Sequence, residues 1–139
     1  MKISRVQIKN FRNIGSIDVQ LNDVVTLIGE NNSGKSNFLH ALTLPFSSDD
    51  NNINKNLSWA DINTGARDDY YQFILEKKDA ILDGTLDFDV FVSKLPAIFV
   101  EVNITPEEDE LYFVKDICYS TDADGHLLYG LRYEYKATH

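Results

Sequence analysis

The chain has 139 residues, of which 43% are hydrophobic and 12% aromatic, enough for the packed core of one ordinary domain and too many for wholesale disorder. Its formal net charge of -9 argues against a broad nucleic-acid-binding surface, because duplex binding requires clustered lysine and arginine, although a small basic site is compatible with this charge. Cys118 is the single cysteine, which excludes an internal disulfide and a cysteine-rich metal site, and a reducing cytoplasm is the expected location.

The chain begins with two predicted strands. Apolar and polar residues nearly alternate from Ile3 to Phe11 and again from Ile17 to Leu21, which is typical of half-buried strands. The turn-forming cluster Asn13-Ile14-Gly15-Ser16 lies between them, so we expect an antiparallel hairpin. No long apolar run follows Met1, and we therefore expect neither a signal peptide nor a membrane partner.

A phosphate-binding motif follows the hairpin. Residues 29–36 read Gly-Glu-Asn-Asn-Ser-Gly-Lys-Ser and fit the P-loop pattern G-x-x-x-x-G-K-[ST]. The apolar, β-branched run Val24–Ile28 predicts a buried strand before the motif. Residues 37–44 are apolar at helical spacing and predict a helix that Pro45 ends. The order strand, loop, helix is the context that the motif requires, which disfavours a chance match in a Gly/Asn turn.

The chemistry of this motif is phosphate binding. Backbone N–H groups of the loop and of the first helical turn point at one spot, where the helix dipole also favours an anion. Lys35 adds a positive charge for the β- and γ-phosphates, and the Ser36 hydroxyl can ligate Mg²⁺.

Two segments of the sequence resemble the start of a known ATPase family. They are Asn10-Phe11-Arg12-Asn13-Ile14 and the stretch from Leu27 to Leu42. Together they resemble an ABC-type ATPase of the RecF/SMC group, and within it most closely the OLD-family ATPase-nucleases, which include the Gabija-type antiphage defence proteins. The resemblance is strong over roughly the first third of the chain. It implies an α/β P-loop NTPase fold of ABC type, with a mixed sheet.

The resemblance also implies a set of site residues for ATP and Mg²⁺. Lys35 would be the phosphate lysine and Ser36 the Mg²⁺ ligand, while the backbone from Asn32 to Asn37 would wrap the phosphates. Arg12 and Asn13 would lie beside the phosphate and base of the nucleotide. The full set is Arg12, Asn13, Asn31, Asn32, Ser33, Gly34, Lys35, Ser36 and Asn37. From the residues alone, Arg12 is interpreted as a solvated residue at the end of a strand.

Asn32 departs from the commonest pattern of the group, which has glycine at this point. The loop backbone needs unusual dihedral angles here, and asparagine is the non-glycine residue that best tolerates the left-handed region. Nucleotide binding is therefore still expected.

The middle of the chain, residues 46–96, is predicted to be a helical and loop insert. Ser58 is a candidate N-cap. Apolar residues at helical spacing predict an amphipathic helix over 66–82, ended by Gly84. Residues 86–92 fit a strand by their alternation and a short helix by their position.

Three aromatic and two acidic residues of this insert suggest functions of their own. Trp59, Tyr70 and Tyr71 could stack on nucleobases, but aromatics at helical spacing usually belong to a core, so we expect them to pack the insert onto the sheet. Asp87 and Asp89 have the spacing of a metal pair, which is also plain strand alternation. No further ligands are evident, so we assign them no metal.

The last part of the chain, residues 97–139, is rich in predicted strands. The segments are Ala97–Ile104, Leu111–Tyr119 and Leu127–Lys136. We expect them to form an antiparallel meander beside the N-terminal hairpin.

The turn before the last strand resembles the start of a Ca²⁺-binding loop. It reads Asp122-Ala123-Asp124-Gly125, but Tyr133 stands where such a loop needs its bidentate glutamate. Hairpin turns are rich in aspartate and glycine anyway, and a turn is the interpretation that we prefer. His40, His126 and His139 have no partner pattern and are interpreted as structural or solvated.

Groups that an ABC-type ATPase needs for hydrolysis are missing from the sequence. Such an enzyme carries an apolar strand ending in Asp-Glu, which holds Mg²⁺ through water and activates the attacking water, and it receives a Ser-Gly-Gly-type loop from a second head. Ile98-Phe99-Val100-Glu101 resembles that strand but lacks the aspartate. We therefore identify no catalytic residue, and the sequence shows no nuclease metal cluster.

These observations indicate the N-terminal portion of one ABC-type ATPase domain. Its predicted parts are 1–45 with the hairpin, P-loop and helix, 46–96 as the insert, and 97–139 with the antiparallel strands. Such an incomplete domain would have an exposed sheet edge, which favours pairing with another chain. The expected partners are the nucleotide, a second ATPase head such as a homo-oligomer supplies, and the remainder of a longer protein, with DNA reached only through the complete protein.

The expected function is therefore that of an ATP- and Mg²⁺-binding segment of an OLD/RecF-like ATPase. The full protein would regulate DNA processing by an endonuclease part, in phage defence or DNA repair. The first alternative is a non-catalytic module for nucleotide sensing or protein interaction. The second is a stand-alone P-loop kinase or GTPase, which is disfavoured because no acceptor-site motif is present and Asn54-Lys55-Asn56-Leu57 lacks the aspartate of a guanine-reading motif.

Overall fold

The computed structural model describes residues 1–21, 34–46 and 57–136. The strand predicted over 24–28, the motif residues 29–33 and His139 lie outside the described residues. Within the described ranges, five strands form one sheet in the order β2-β1-β3-β5-β4, and every neighbouring pair is antiparallel. The strands are β1 Lys2–Phe11, β2 Ile14–Gln20, β3 Ile98–Thr105, β4 Cys118–Thr121 and β5 Leu127–Tyr135.

The predicted N-terminal hairpin is confirmed, with a tighter turn than expected. Phe11 pairs directly with Ile14, so the turn is Arg12-Asn13 and not the cluster 13–16. Ile14 and Gly15 already belong to β2, because the strand pairing begins at Phe11 and Ile14, whose apolar side chains are both buried. Within the described residues the sheet is entirely antiparallel. The predicted mixed sheet also needs a parallel strand, and the candidate for it is the predicted strand 24–28, which lies outside the described residues.

One face of the sheet forms the hydrophobic core. Val6 and Ile8 of β1 and the alternate positions of β3 are fully or almost fully buried, because period-2 alternation sends these side chains to the same face. The P-loop helix α1, Lys35–Thr43, covers this face with Phe38 and Ala41. It continues into a 3₁₀ turn, Leu44–Phe46, in which Pro45 lies.

The opposite face of the sheet, hereafter the outer face, is polar. Arg5 of β1 pairs with Asp18 of β2 at 2.6 Å, and Glu101 of β3 pairs with Arg132 of β5 at 2.7 Å. These residues alternate with the buried ones along each strand, so they lie on the side of the sheet away from α1.

The insert is helical, as predicted, but it is divided differently. A 3₁₀ turn, Trp59–Asp61, leads into the helices α2 Thr64–Glu76, α3 Lys78–Leu82 and α4 Phe88–Ser93. The single helix predicted over 66–82 is interrupted at Lys77, which leaves helical geometry without any glycine or proline to signal the break. Gly84, in the left-handed conformation, follows the end of α3, as expected for the end of this helical region.

The ambiguous stretch 86–92 is a helix. Asp87 caps α4, since its Oδ1 accepts a hydrogen bond from the Asp89 N–H at 2.8 Å. The spacing that imitated a metal pair is therefore an N-cap followed by a residue of the first helical turn.

The strand predicted over Leu111–Tyr119 is wrong for most of its length. The chain forms a 3₁₀ turn Glu108–Glu110, the one-turn helix α5 Leu111–Val114 and a second 3₁₀ turn Lys115–Ile117, and extends only from Cys118 onward as β4. The Glu107 N–H donates to Glu110 Oε2 at 2.9 Å, which initiates the helical turn. The local cap outweighs the strand preference of the aromatic run that follows.

The predicted C-terminal meander is also wrong. β5 lies between β3 and β4, so consecutive strands in the sequence are not consecutive in the sheet. The helical segment 108–117 leads the chain past the place beside β3, so β4 forms one strand further out. After the tight turn that follows Thr121, β5 pairs with both β3 and β4 and fills the place between them. In the described part of the chain, no helix is long and apolar enough to cross a membrane.

Candidate functional site

Gly34 and the first turn of α1 are the described part of the phosphate-binding motif. Gly34 has φ +98°, a left-handed conformation that favours glycine. The Phe38 N–H donates to Gly34 O at 2.8 Å, so the helical ladder begins there. The N–H groups of Lys35, Ser36 and Asn37 precede that bond and lie at the positive end of the helix dipole, which is the arrangement that an anion requires.

The turn between β1 and β2 lies against this helix start. A Cβ atom on Gly34 would be 2.9 Å from Asn13 Nδ2, so the Asn13 side chain fills the space beside the glycine. Asn37 Nδ2 donates to Asn13 Oδ1 at 2.9 Å, and Asn37 Oδ1 accepts from Arg12 Nη1 at 3.0 Å. The fold therefore brings together four of the predicted site residues from two separate stretches of the sequence.

Arg12 is held on several sides. Its backbone has φ +52°, and its N–H donates to the carbonyl oxygen of Asp61 at 2.7 Å. Its Nε donates to Asp61 Oδ1 at 3.0 Å, and its guanidinium carbon lies 5.0 Å from the ring centroid of Phe11, within the range of a cation–π contact. The interpretation of Arg12 as a merely solvated residue, which the residues alone favoured, is therefore wrong.

Asp61 was not among the predicted site residues. Its side chain is only 18% exposed, and its Oδ2 accepts a hydrogen bond from the Ser58 N–H at 2.9 Å. Burial raises the pKa of Asp61, but the hydrogen bonds from the Ser58 amide and the Arg12 guanidinium outweigh it and hold the pKa below its ordinary value. The spacing Ser58-x-x-Asp61 fits a capping box and is the sequence signal that could have singled out the aspartate.

The groups at the helix start fit phosphate and Mg²⁺. Lys35 is half-buried and Ser36 is exposed, so a cation and a hydroxyl are both accessible there. A hydroxyl beside phosphate-binding N–H groups suits Mg²⁺, which keeps several waters and binds through substrate phosphates. Asn31, Asn32 and Ser33 lie outside the described residues, and their part in the site stays a prediction.

Glu101, the residue that imitates a catalytic acid, lies elsewhere. It is in the middle of β3 on the outer face, away from α1. Its Oε2 accepts from both Nε and Nη2 of Arg132, at 3.0 and 2.7 Å. The carboxylate is thus already paired with an arginine on the far side of the sheet.

The aromatic residues of the insert pack on one another. The ring centroid of Tyr70 is 5.7 Å from that of Trp59 and 6.4 Å from that of Phe91, and Trp59 Nε1 donates to the Tyr71 hydroxyl at 3.1 Å. They therefore form an aromatic cluster within the insert, which agrees with packing as their role but differs from the predicted packing onto the sheet.

Two of the three histidines have structural contacts. The His40 ring packs edge-on against Phe11, with centroids 5.7 Å apart. His126 Nδ1 lies 3.1 Å from Asp122 Oδ2, while Asp122 Oδ1 accepts from the N–H groups of Asp124 and His126. These bonds close the exposed turn before β5, which was the preferred interpretation of that sequence.

Comparison with known families identifies the domain. A family model described as an AAA ATPase domain matches residues 1–124, which is most of the chain. The chain belongs to this AAA ATPase domain family. One relative is the protein named Endonuclease GajA, from Bacillus cereus (strain VD045), which is 45% identical over 42 residues. That segment is 30% of this chain and 7% of the relative, so the chain corresponds to only a small part of it. No solved structure matches the chain significantly.

These matches confirm the predicted relationship. The chain is an ABC/AAA-type ATPase domain related to the Gabija-like nucleases, and its described part has the α/β composition expected of a P-loop ATPase.

Proposed function

We propose that this AAA ATPase domain binds ATP together with Mg²⁺ at the start of α1. The observation that carries the proposal is the placement of the Arg12-Asn13 turn against Gly34 and Asn37. This placement adds a second positive charge to the lysine and the N–H groups of the motif. Clustered donors and positive charge at a helix start are what a nucleotide polyphosphate requires.

Each residue has a defined part in this proposal. Lys35 neutralises the β- and γ-phosphates, and the Ser36 hydroxyl ligates the Mg²⁺ that the phosphates hold. Arg12 supplies the second cation, with Asn13 and Asn37 fixing its surroundings. Residues 31–33, which lie outside the described residues, would complete the backbone cradle before Gly34. Mg²⁺ itself would neutralise charge that develops on the phosphates.

At the level of the whole protein, we propose a regulatory ATPase whose nucleotide state controls DNA processing by an associated nuclease. Membership of the AAA family and the GajA relative support this direction. DNA would be contacted through the complete protein, because this chain carries a net charge of -9. A second ATPase head, from a homo-oligomer or the rest of a longer protein, would complete an ABC-type site. The biological setting would be phage defence or DNA repair, in the reducing cytoplasm that a single cysteine suits.

The domain division proposed above follows the same reasoning. Residues 1–45 supply the hairpin and the phosphate site, 46–96 the helical insert and 97–139 the remaining strands. A non-catalytic nucleotide sensor is the alternative function, favoured by the lack of an Asp-Glu strand end in the sequence.

Calorimetric titration with ATP and Mg²⁺ tests the proposal. Lys35→Ala should weaken ATP binding about 10- to 100-fold, because a charge-assisted contact to phosphate is lost. Binding of adenosine, which has no phosphate, should change little. Lys9→Ala, which removes an exposed lysine from β1, is the matched control and should bind ATP like the parent. Equal losses for ATP and adenosine, or equal effects of the two lysine variants, would contradict phosphate binding at α1.

A further inference from the structure

The Arg12–Asp61 contact joins the proposed nucleotide site to the helical insert. The two residues are bonded twice, once through the backbone and once through the side chains. The insert is fixed to the end of β1 at adjacent positions as well, since Asn63 Nδ2 donates to the Arg12 carbonyl at 2.7 Å and Ile62 bridges to Phe11. Asp61 therefore lies on a segment that several contacts fix to the end of β1, and its side chain is only 18% exposed.

The guanidinium of Arg12 uses two of its donors on other described residues. An arginine side chain has five N–H donors, and the bonds recorded within the described residues use one on Nε and one on Nη1. Both N–H groups of Nη2 are without an acceptor among these residues. With its Nε bonded to Asp61 and its Nη1 to Asn37, the guanidinium plane is fixed from two sides, next to the first turn of α1 where the proposed site lies.

We propose that Asp61 is a positioning residue that orients Arg12 toward the phosphates of the bound nucleotide. This inference rests on the proposed function, because it assigns Asp61 a part in the same site. Asp61 touches no nucleotide itself in this arrangement. It acts through Arg12, whose left-handed backbone and guanidinium plane it fixes together.

A carboxylate beside an arginine can have two opposite effects on anion binding. As a counter-charge it would weaken the attraction of Arg12 for phosphate, whereas as an orienting group it strengthens binding by removing the need to order a long side chain. The two hydrogen bonds between Arg12 and Asp61, and the contacts that fix the neighbouring residues to β1, favour the orienting effect. Removing Asp61 should therefore lower ATP affinity, and this sign separates the two effects.

A double-mutant cycle in ATP affinity tests the proposal. Asp61→Ala should weaken binding of ATP and Mg²⁺ about fivefold to tenfold, while Asp61→Asn, which keeps a hydrogen-bond acceptor, should lose less. In an Arg12→Ala background, Asp61→Ala should cause no further loss, because there is nothing left to orient. Adenosine affinity should stay unchanged. A residue that only supports the fold would not produce this coupling.

Glu101→Ala provides the matched control. It removes another carboxylate bonded to an arginine, Arg132, but on the outer face. ATP affinity should stay at the parent value. Folding is followed by urea titration, and if Asp61→Ala does not fold, the cycle is measured with Asp61→Asn, whose smaller loss should likewise vanish in the Arg12→Ala background.

The outcomes distinguish this inference from the proposed function. If Lys35→Ala abolishes ATP binding while Asp61→Ala binds like the parent or more tightly, the positioning role is overturned and the phosphate site stands. Equal losses from Asp61→Ala with and without Arg12 would also overturn it. If ATP does not bind, or Lys35→Ala has no effect, the proposed function itself fails and the inference fails with it.

Discussion

Gly34 has two independent reasons to be a glycine. Its φ of +98° lies in a region that costs other residues about 1–2 kcal/mol, and a Cβ atom there would meet Asn13 Nδ2 at 2.9 Å. The first reason concerns the backbone, whereas the second concerns the contact between the helix start and the hairpin turn. Substitution should therefore affect both stability and the phosphate site.

Gly34→Ala should lower the free energy of unfolding by about 1–3 kcal/mol and weaken ATP binding, because Asn13 must move from its bond with Asn37. The measurements are urea unfolding and calorimetric titration. Gly15→Ala is the control, since nothing lies within 4 Å of its added Cβ, and it should change stability by no more than about 0.5 kcal/mol. Equal behaviour of the two variants would refute the assigned geometry.

Asp61 should contribute to stability in a pH-dependent way. Its pKa is lowered in the folded chain, so its contribution is present above the pKa of the unfolded chain, about 4, and is lost as the pH falls through the folded value. The difference in unfolding free energy between the parent and Asp61→Asn should therefore be largest near pH 7 and shrink toward pH 2. Urea titrations across this range measure it, and a difference that grows on acidification would contradict the sign.

At the residue scale, the sequence predicts groups defined by local pattern and misses those defined by tertiary pairing. Lys35 and Ser36 are identified by the spacing of the P-loop motif. Asp61 meets Arg12 across 49 positions of the chain, and no spacing rule reports that contact. The capping box marks a helix start, but it does not indicate which cation the aspartate will bind.

At the scale of elements, alternation is a sound guide to the strands that bury one face. Along β3, Ile98, Val100, Val102 and Ile104 are buried in turn, and the strand was predicted nearly to its ends. The stretch at Leu111–Val114 has strand-forming residues without such alternation. A cap at Glu107 and Glu110 determines its structure instead, so the resulting strand order could not be derived from composition.

The aromatic cluster of the insert should support stability and leave the phosphate site unaffected. Tyr70→Ala removes contacts with both Trp59 and Phe91 and should cost about 2 kcal/mol in urea unfolding. Tyr112→Ala is the control and should cost much less, because Tyr112 is 73% exposed. If Tyr70→Ala instead reduced adenosine binding at unchanged stability, the rings would be stacking on a nucleobase.

At the scale of the molecule, the chain has a proposed phosphate site at the start of α1, but its sequence lacks the motif that would activate water. Its sequence has no Asp-Glu strand end, and Glu101 is paired with Arg132 on the outer face. Phosphoryl transfer depends on a positioned water and on charge stabilisation at the γ-phosphate, and losing such groups typically costs orders of magnitude in rate.

We therefore expect the isolated chain to release phosphate from ATP at or near background, even when it binds the nucleotide. Phosphate release with ATP and Mg²⁺ measures this, with Lys35→Ala as the control for contaminating ATPases. Robust turnover that disappears in the control would mean that a catalytic acid is present after all.

The most direct measurement of the central claim locates the nucleotide on the chain. Backbone amide resonances of the ¹⁵N-labelled protein can be followed by NMR during titration with ATP and Mg²⁺. The largest shifts should fall on Gly34 to Asn37 and on the Arg12-Asn13 turn, and adenosine should leave them in place. Largest shifts on the outer face, at Glu101 and Arg132, or equal shifts with adenosine and ATP, would contradict a phosphate site at the start of α1.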